Sequence, residues 1–259
     1  MHHLGPLTVH QFPCLQDNYG FLVRDEASGK VATIDTPEAA RIEAEAEKLG
    51  WGIDLILNTH WHLDHIGGNA PLKERFGAEI VAPEGEGDKI PGADRRILGG
   101  DHVMLGETRL DVIAVPGHTL GHIAYHAPEA KLAFVGDTLF SLGCGRMFEG
   151  DKAGFWASLQ KLRALPEETT IFCAHEYTKA NAAFAMSVDA GNEALKARTA
   201  EVARLREEGT PTVPVALAEE KKANPFLRAD DPALAASLGL SGAPAEDVFA
   251  ELRSRKDSF

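Results

Sequence analysis

The sequence predicts an α/β sandwich followed by a smaller helical domain. Short strand-like runs recur through residues 7–174, and helical patterns lie between some of them. After residue 176 the patterns are helical, with alanine-rich or amphipathic character and no convincing strand. The predicted domains therefore cover residues 1–175 and 176–259.

In the first domain, nine runs rich in apolar residues are predicted to be strands. They cover residues 7–12, 21–24, 31–35, 55–58, 79–82, 109–115, 123–126, 132–136 and 170–174. A helix is predicted over residues 37–49, because Thr36 is a suitable N-cap and Pro37 occupies the first helical position. A second helix is predicted over residues 155–165. In the second domain, helices are predicted over residues 179–188, 193–208, 217–222 and 231–238.

Composition and charge exclude several classes of protein. The hydrophobic content of 44% and charged content of 25% are typical of a globular domain. No apolar run approaches the roughly 18 residues of a membrane span, and the amino terminus lacks the pattern of a secretory signal, so we expect a cytoplasmic protein without membrane association. A net charge of -13 argues against a nucleic-acid partner.

The cysteine pattern indicates neither a disulfide framework nor a thiolate metal site. Cys14, Cys144 and Cys173 are odd in number and form no C-x-x-C pair. We expect them to be reduced, and we interpret Cys144 and Cys173 as small packing residues.

The segment His60-Trp61-His62-Leu63-Asp64-His65 carries four potential metal ligands within six residues. It follows the predicted strand 55–58, and a sharp turn at a strand end can direct several side chains at one point. Imidazoles and a carboxylate are ligands that Zn²⁺ prefers. The alternative is a solvated polar turn. The spacing favours a metal site.

Three further candidate ligands each follow a predicted strand. His118 comes after residues 109–115, Asp137 after residues 132–136, and His175 after residues 170–174. Each alone is more typical of a turn, a cap or polar surface. Together with the histidine segment they predict a metal site at one edge of the sandwich, because strand ends converge there.

Other polar residues lie outside this predicted ligand set. Asp35 ends a predicted strand and either orients a ligand imidazole or acts as a cap beside Thr36. His122 is ambiguous because it lies close to His118. The remaining histidines are interpreted as ordinary surface or core residues: His2, His3, His10, His102 and His126.

These residues resemble the metallo-β-lactamase superfamily and, within it, the glyoxalase II or hydroxyacylglutathione hydrolase family. The resemblance extends over essentially the whole chain. The more selective strings are Asp17-Asn18-Tyr19, residues 136–140 with 143–145, His175-Glu176-Tyr177-Thr178, residues 212–214, 217–220 and 224–226, and residues 253–259. The resemblance implies that residues 1–175 form a four-layer αββα sandwich with a metal site on one rim. It also implies that residues 176–259 form a helical substrate-binding domain.

The resemblance also implies a metal-ligand set. His60, His62 and His118 would bind one divalent ion, Asp64, His65 and His175 would bind the second, and Asp137 would bridge them. Zinc is the expected metal, with iron or manganese as alternatives, since these ligands accept all three. A hydroxide generated between the two ions would be the nucleophile, with Asp64 and Asp137 as the carboxylates of the catalytic centre.

The reaction that the family resemblance implies is hydrolysis of S-D-lactoylglutathione to glutathione and D-lactate, the second step of methylglyoxal detoxification. A thiolate leaves without a strong general acid, because thiols ionise near a pKa of about 8.5. The implied partner is a small glutathione thioester, and we expect a monomer. By position, the substrate contacts would be Arg146, Tyr177, Asn181, Arg253 and Lys256.

Two residues depart from the family pattern. Arg146 stands where lysine is common, and Phe148 stands where a tyrosine is often found. A different thiol carrier therefore becomes more plausible. The rival functions are a glutathione persulfide dioxygenase with a single iron, a β-lactamase, and a noncatalytic metal-binding protein. The last would be expected to have lost a ligand, and none of the seven is missing.

Overall fold

The structure is a computed structural model that describes residues 1–259. Its strands are β1 (His2–Leu4), β2 (Leu7–Cys14), β3 (Asn18–Asp25), β4 (Val31–Ile34), β5 (Leu55–Leu57), β6 (Glu79–Pro83), β7 (Arg95–Ile97), β8 (His102–Leu105), β9 (Thr108–Ala114), β10 (Ile123–Ala127), β11 (Leu132–Gly136), β12 (Leu139–Phe140), β13 (Gly143–Cys144), β14 (Thr170–Cys173) and β15 (Val215–Ala216).

The α-helices are α1 (Ala39–Leu49), α2 (Leu63–Ile66), α3 (Asn69–Phe76), α4 (Lys152–Arg163), α5 (Thr178–Val188), α6 (Glu193–Glu207), α7 (Leu217–Ala223), α8 (Pro232–Ser237) and α9 (Ala245–Asp257). Two 3-10 helices cover Glu84–Lys89 and Pro225–Leu227. None of the helices combines the length and the apolar character needed to cross a lipid bilayer.

By its internal contacts the chain divides into two compact units. The first contains Met1–Ala114 and Thr119–Gly136, and the second contains Val115–His118 and Asp137–Phe259. The predicted boundary at residue 176 is a functional one, between a catalytic and a substrate-binding region. This division of function stays a prediction.

The first unit contains a seven-stranded sheet in the order β1 to β7. Strands β1 to β4 pair antiparallel, and β4 to β7 pair parallel. Strands β8 to β11 form a consecutive antiparallel ladder. The parallel half places the end of β5, and the histidine segment that follows it, beside the end of β4.

The two faces of the large sheet are covered differently. Neighbouring side chains of a strand point to opposite faces. Leu22 of β3 belongs to a buried cluster with Ile42 of α1 and Leu72 of α3. The ring of Phe21, the preceding residue, lies 5.5 Å from the ring of Phe134 on β11. Helices therefore cover one face, and the antiparallel ladder packs against the other.

The second unit has an aromatic core. Helix α4 begins after Asp151, whose carboxylate accepts the Gly154 amide hydrogen at 2.7 Å as an N-cap. The ring of Phe155 on α4 lies 5.4 Å from that of Phe249 on α9, which lies 6.3 Å from Phe226. These three buried rings connect α4 to the carboxyl-terminal helices.

All nine predicted strands coincide with observed ones. The strands that were not predicted, β1, β7, β8, β12, β13 and β15, contain two to four residues each, and a segment of this length carries only a weak periodic signal. The expectation of no strand after residue 176 is wrong at β15, which pairs with β14. Helices α2, α3 and α9 were also not predicted.

The predicted N-cap of the first helix is also wrong. Helix α1 begins at Ala39, after Glu38, which makes no side-chain capping bond. The buried Thr36 hydroxyl lies 2.6 Å from Oδ1 of Asn69 and 3.3 Å from the carbonyl oxygen of His65. The Thr36 hydroxyl therefore hydrogen-bonds to residues in and after the histidine segment, and it does not cap the helix.

Asp25 is a buried carboxylate at the end of β3. Its Oδ1 accepts the Thr108 hydroxyl at 2.6 Å, and its Oδ2 accepts the hydroxyl and the amide hydrogen of Ser28 at 2.5 and 2.9 Å. Burial opposes the charge, but these donors lower the pKa of Asp25 below its usual value. The ionised form therefore stabilises the fold above about pH 4, and this contribution is lost as the pH falls through the lowered pKa.

We predict that Asp25→Asn lowers the free energy of unfolding by about 2 kcal/mol at pH 7, because an amide presents a donor where donors already converge. Urea unfolding of both proteins measures this, and the difference should shrink below about pH 4. Glu26→Gln, at the exposed neighbour, is the matched control and should leave stability within about 0.5 kcal/mol. Equal stability of wild type and Asp25→Asn at pH 7 would contradict the assignment.

Candidate metal centre

The histidine segment leaves β5 and forms a compact cluster in the first unit. His60 and His65 are buried, whereas His62 and Asp64 are partly exposed. Nε2 of His60 lies 3.0 Å from Nδ1 of His62, and Nε2 of His65 lies 3.4 Å from Oδ2 of Asp64. The ring centroids of His60 and His65 are 4.0 Å apart. Four potential ligands are therefore gathered in a small volume.

Asp35 determines the orientation of His65. Its Oδ2 lies 2.8 Å from Nδ1 of His65, and its Oδ1 accepts the Thr59 amide hydrogen at 2.8 Å. Because an ionised carboxylate only accepts, Nδ1 of a neutral His65 carries the hydrogen and Nε2 carries the lone pair. The orienting role considered for Asp35 has a structural basis, since ligand imidazoles commonly bind a carboxylate through their second nitrogen.

The same carboxylate acts on His60 through Thr59. The Thr59 hydroxyl donates its hydrogen to Oδ2 of Asp35 at 2.8 Å and lies 3.0 Å from Nδ1 of His60. Since that hydrogen is already used, the hydroxyl accepts from Nδ1 of His60, and the lone pair is at Nε2. This is the nitrogen that faces His62.

Two further residues support this cluster. Asn18 donates to Oδ2 of Asp64 at 3.1 Å. The fully buried His122 stacks on His60 with ring centroids 4.6 Å apart and planes 19° apart. The sequence left His122 ambiguous and placed Asn18 only within a family string. Their roles depend on contacts between residues far apart in the chain.

The second unit contains His118, Asp137 and His175, all of them buried. Nε2 of His118 lies 3.5 Å from Oδ2 of Asp137, and Nε2 of His175 lies 3.4 Å from Oδ1. Each carboxylate oxygen thus faces a different imidazole. Nδ1 of His118 donates to the carbonyl oxygen of Arg146 at 2.9 Å, so its lone pair is also at Nε2.

His175 is held by aromatic contacts. Its ring stacks on Tyr177 at 4.7 Å with planes 3° apart, and Phe140 meets it edge-on at 5.9 Å. Phe148, whose side chain is 61% exposed, meets the His118 ring edge-on at 5.3 Å. Aromatic rings therefore flank both histidines of this unit.

The donor chemistry fits divalent metal ions. Two atoms bound to one zinc ion at about 2.0–2.1 Å, at a tetrahedral angle, lie about 3.3 Å apart. The four ligand pairs measured within the units are 3.0, 3.4, 3.5 and 3.4 Å apart. All seven predicted ligands belong to side-chain groups that could hold a metal ion.

The predicted substrate contacts have different environments. Arg146 is exposed and Tyr177 is 36% exposed. The Lys256 ammonium group donates to the Ala180 carbonyl oxygen at 3.2 Å. Burial, followed by the nearby charges of Arg253 and Arg146, lowers the pKa of Lys256. Both arginine charges thus act on Lys256, although Arg253 is also paired with Asp257 at 2.9 Å.

Arg253 and Asn181 bind the backbone of the segment that contains β12 and β13. The buried Arg253 donates to the carbonyl oxygens of Cys144 and Gly145 at 2.9 and 3.3 Å. The buried Asn181 donates to the carbonyl oxygen of Ser141 at 3.1 Å. Direct substrate contacts by these two residues stay predictions.

The cysteines are unsuited to nucleophilic catalysis. All three thiols are free and buried. Burial raises the pKa of Cys144 to about 11 and that of Cys173 to about 12, so both are protonated at neutral pH. This agrees with their interpretation as packing residues.

Comparison with known proteins gives matches over the whole chain. A family model described as the metallo-beta-lactamase superfamily matches residues 21–175, and one described as the hydroxyacylglutathione hydrolase C-terminus matches residues 176–259. The chain is 54% identical to a hydroxyacylglutathione hydrolase of Maricaulis maris over 256 residues, covering 99% of this chain and 100% of that protein. It is 53% identical to one of Hyphomonas neptunium, covering 98% of each.

Solved structures agree with this fold. ETHE1 from Myxococcus xanthus is similar with a TM-score of 0.68 and 25% identity, covering 95% of this chain and 90% of that one. The BLEG-1 B3 metallo-beta-lactamase has a TM-score of 0.63 and 19% identity, covering 85% of this chain and 99% of that one, which shows the fold alone.

The layered sheets and the histidine and aspartate clusters at strand ends are those of a metallo-β-lactamase superfamily protein, a fold that implies divalent metal ions. The predicted fold class is confirmed. Within the superfamily, the chain belongs to the hydroxyacylglutathione hydrolase family, which confirms the resemblance to glyoxalase II. The persulfide dioxygenase alternative is not favoured, because the full-length relatives at 53–54% identity are hydrolases by name.

We predict that Asp35→Asn weakens metal binding about 10- to 100-fold, because the amide can present an N–H toward Nδ1 of His65 and release the ring orientation. Competition with a chromophoric chelator measures the affinity. Asp88→Asn, at an exposed position outside the ligand set, is the control and should bind metal like the wild type. Unchanged affinity in Asp35→Asn would remove the orienting role.

Proposed function

We propose that this chain hydrolyses S-D-lactoylglutathione to glutathione and D-lactate at a binuclear metal centre. In the proposed centre, His60, His62 and His118 would hold one ion, Asp64, His65 and His175 would hold the other, and Asp137 would be a ligand of both. The observation that carries the proposal is the orientation of three imidazoles: His60, His65 and His118 each direct Nδ1 to a hydrogen-bond acceptor, which places the lone pair at Nε2, the atom that would bind a metal. Zinc is the proposed metal.

Divalent ions held by these ligands would supply two kinds of chemistry, polarisation of a thioester carbonyl and a lowered pKa of water that provides hydroxide at neutral pH. The chain's contribution is orientation. Asp35 and Thr59 fix His65 and His60, the Arg146 carbonyl oxygen fixes His118, and Asp137 offers its two oxygens in different directions. Because these groups are already held, little reorganisation is needed during the reaction.

No side chain is needed as nucleophile or as acid for the leaving group. The Cys144 and Cys173 thiols are protonated, as described above, and a glutathione thiolate leaves unprotonated because its conjugate thiol has a pKa of about 8.5. Arg146 and Lys256 present positive charge in a protein whose net charge is -13, and so would attract the substrate carboxylates. We also propose a cytoplasmic location and a monomeric state for this enzyme.

The decisive experiment combines elemental analysis with two assays on the purified protein. We expect about two metal ions per chain and thiol release from S-D-lactoylglutathione. Asp137→Ala should abolish turnover and reduce the metal content, because one carboxylate faces two ligand imidazoles. Asp88→Ala is the control. Oxygen uptake with glutathione persulfide and a single iron would instead assign a dioxygenase.

A second prediction concerns Phe148, which stands where the family often has tyrosine. We expect Phe148→Tyr to lower KM for S-D-lactoylglutathione by about three- to tenfold, since one hydrogen bond contributes about 0.5–1.5 kcal/mol. Steady-state kinetics measure this. Phe148→Leu, which adds no hydroxyl, is the control. If KM is unchanged in Phe148→Tyr, the exposed ring at this position does not face the glutathione moiety.

A further inference from the structure

The segment from Asp137 to Arg146 contains a very short hairpin. Strands β12 and β13 contribute two residues each, and Ser141 and Leu142 form the turn. Leu142 has a φ of 56°, a left-handed conformation that costs a non-glycine residue about 1 kcal/mol or more. A hairpin of this length is not stable alone, so other elements must hold it.

Glu220 of α7 is the main support of the turn. Its carboxylate is 1% exposed; Oε1 accepts the Ser141 hydroxyl at 2.7 Å and Oε2 accepts the Leu142 amide hydrogen at 2.8 Å. The same Oε2 accepts from Nδ2 of Asn224 at 2.9 Å. Nδ2 of Asn224 also contacts the carbonyl oxygens of Phe140 and Gly143 at 3.1 and 3.0 Å. One carboxylate and one amide thus hold both arms of the hairpin.

The other end of the hairpin reaches the metal ligands of this unit. After β13, the carbonyl oxygen of Arg146 accepts from Nδ1 of His118. Gly145 lies against Asp137: a Cβ on Gly145 would overlap the Asp137 carbonyl oxygen and come within 3.1 Å of Nδ1 of His118. A shift of the hairpin would therefore move the acceptor that orients His118.

Burying a carboxylate in a protein core has an unfavourable desolvation free energy. Burial raises the pKa of Glu220, although its three donors and the charge of Arg198 partly offset this. A well-packed apolar side chain often stabilises such a position equally well, whereas hydrogen-bonding groups specify one geometry. We therefore interpret the Glu220 carboxylate as a group that specifies the geometry of the turn rather than one that mainly stabilises the core.

We propose that Glu220 is a positioning residue for the reaction, which fixes the Ser141-Leu142 turn so that the Arg146 carbonyl oxygen holds His118 in its ligating orientation. The inference rests on the proposed role of His118 as a metal ligand. The path runs from Glu220 through the hairpin to Arg146 and His118, and it needs no contact between Glu220 and the substrate.

The test is metal affinity in Glu220→Gln, measured by chelator competition, with the melting temperature recorded for the same samples. Glutamine places an N–H₂ group among three donors, so the turn should shift. We expect metal binding about 10-fold weaker or more, while the protein stays folded. Glu219→Gln, at the exposed neighbour on α7, is the matched control and should retain wild-type affinity.

Ser141→Ala is the second variant, since it removes one bond to Glu220 and keeps the carboxylate. It should weaken metal binding several-fold, and it decides the question if Glu220→Gln does not fold. Wild-type metal affinity in the folded variants would overturn the inference. Because affinity is measured without substrate, this result is separate from any failure of the wild type to cleave S-D-lactoylglutathione, which would count against the proposed function instead.

Discussion

The arrangement of the candidate centre depends on acceptors that hydrogen-bond to the Nδ1–H groups of His60, His65 and His118. Asp35, the Thr59 hydroxyl and the Arg146 carbonyl oxygen each occupy one imidazole nitrogen and thereby assign the lone pair to the other. A neutral imidazole has two nitrogens and one hydrogen, so its ligand atom is undefined until a neighbour takes that hydrogen. The surrounding fold positions these acceptors against the histidine side chains.

Close packing imposes a second constraint, which glycines satisfy. Gly136 precedes Asp137 and has a φ of 49°, and a Cβ there would come within 2.7 Å of His122 and of the Thr59 hydroxyl. The strand end can therefore approach the imidazole that stacks on His60. Backbone freedom and the absence of a side chain are required at the same position.

The helical part of the second unit supports backbone rather than only filling space. Side chains from α5, α7 and α9, namely Asn181, Glu220 and Arg253, donate to or accept from the β12–β13 segment. Residues expected from the family pattern to meet the substrate, Asn181 and Arg253, thus have a structural task. The charge of Arg253 also acts on Lys256, so one residue of this scaffold contributes to the positive potential at that lysine.

The sequence alone determined the layered α/β class, nine of the strands and the identity of the seven candidate ligands. These are local properties: apolar periodicity specifies a strand, and metal chemistry restricts the residue types that can follow it. The six strands that were missed contain two to four residues each, and segments of this length carry only a weak periodic signal. Thr36 was misassigned as a cap because its partners, Asn69 and His65, lie about thirty residues away.

Tertiary structure decided which nitrogen carries the lone pair in His60, His65 and His118, that His122 stacks on His60, and that Glu220 and Asn224 hold the hairpin beside Asp137. It also gave Arg253 and Asn181 backbone partners that their positions in the chain did not indicate. The physical reason is that a side chain's hydrogen-bond partner is chosen by distance in space, whereas a sequence records only distance along the chain.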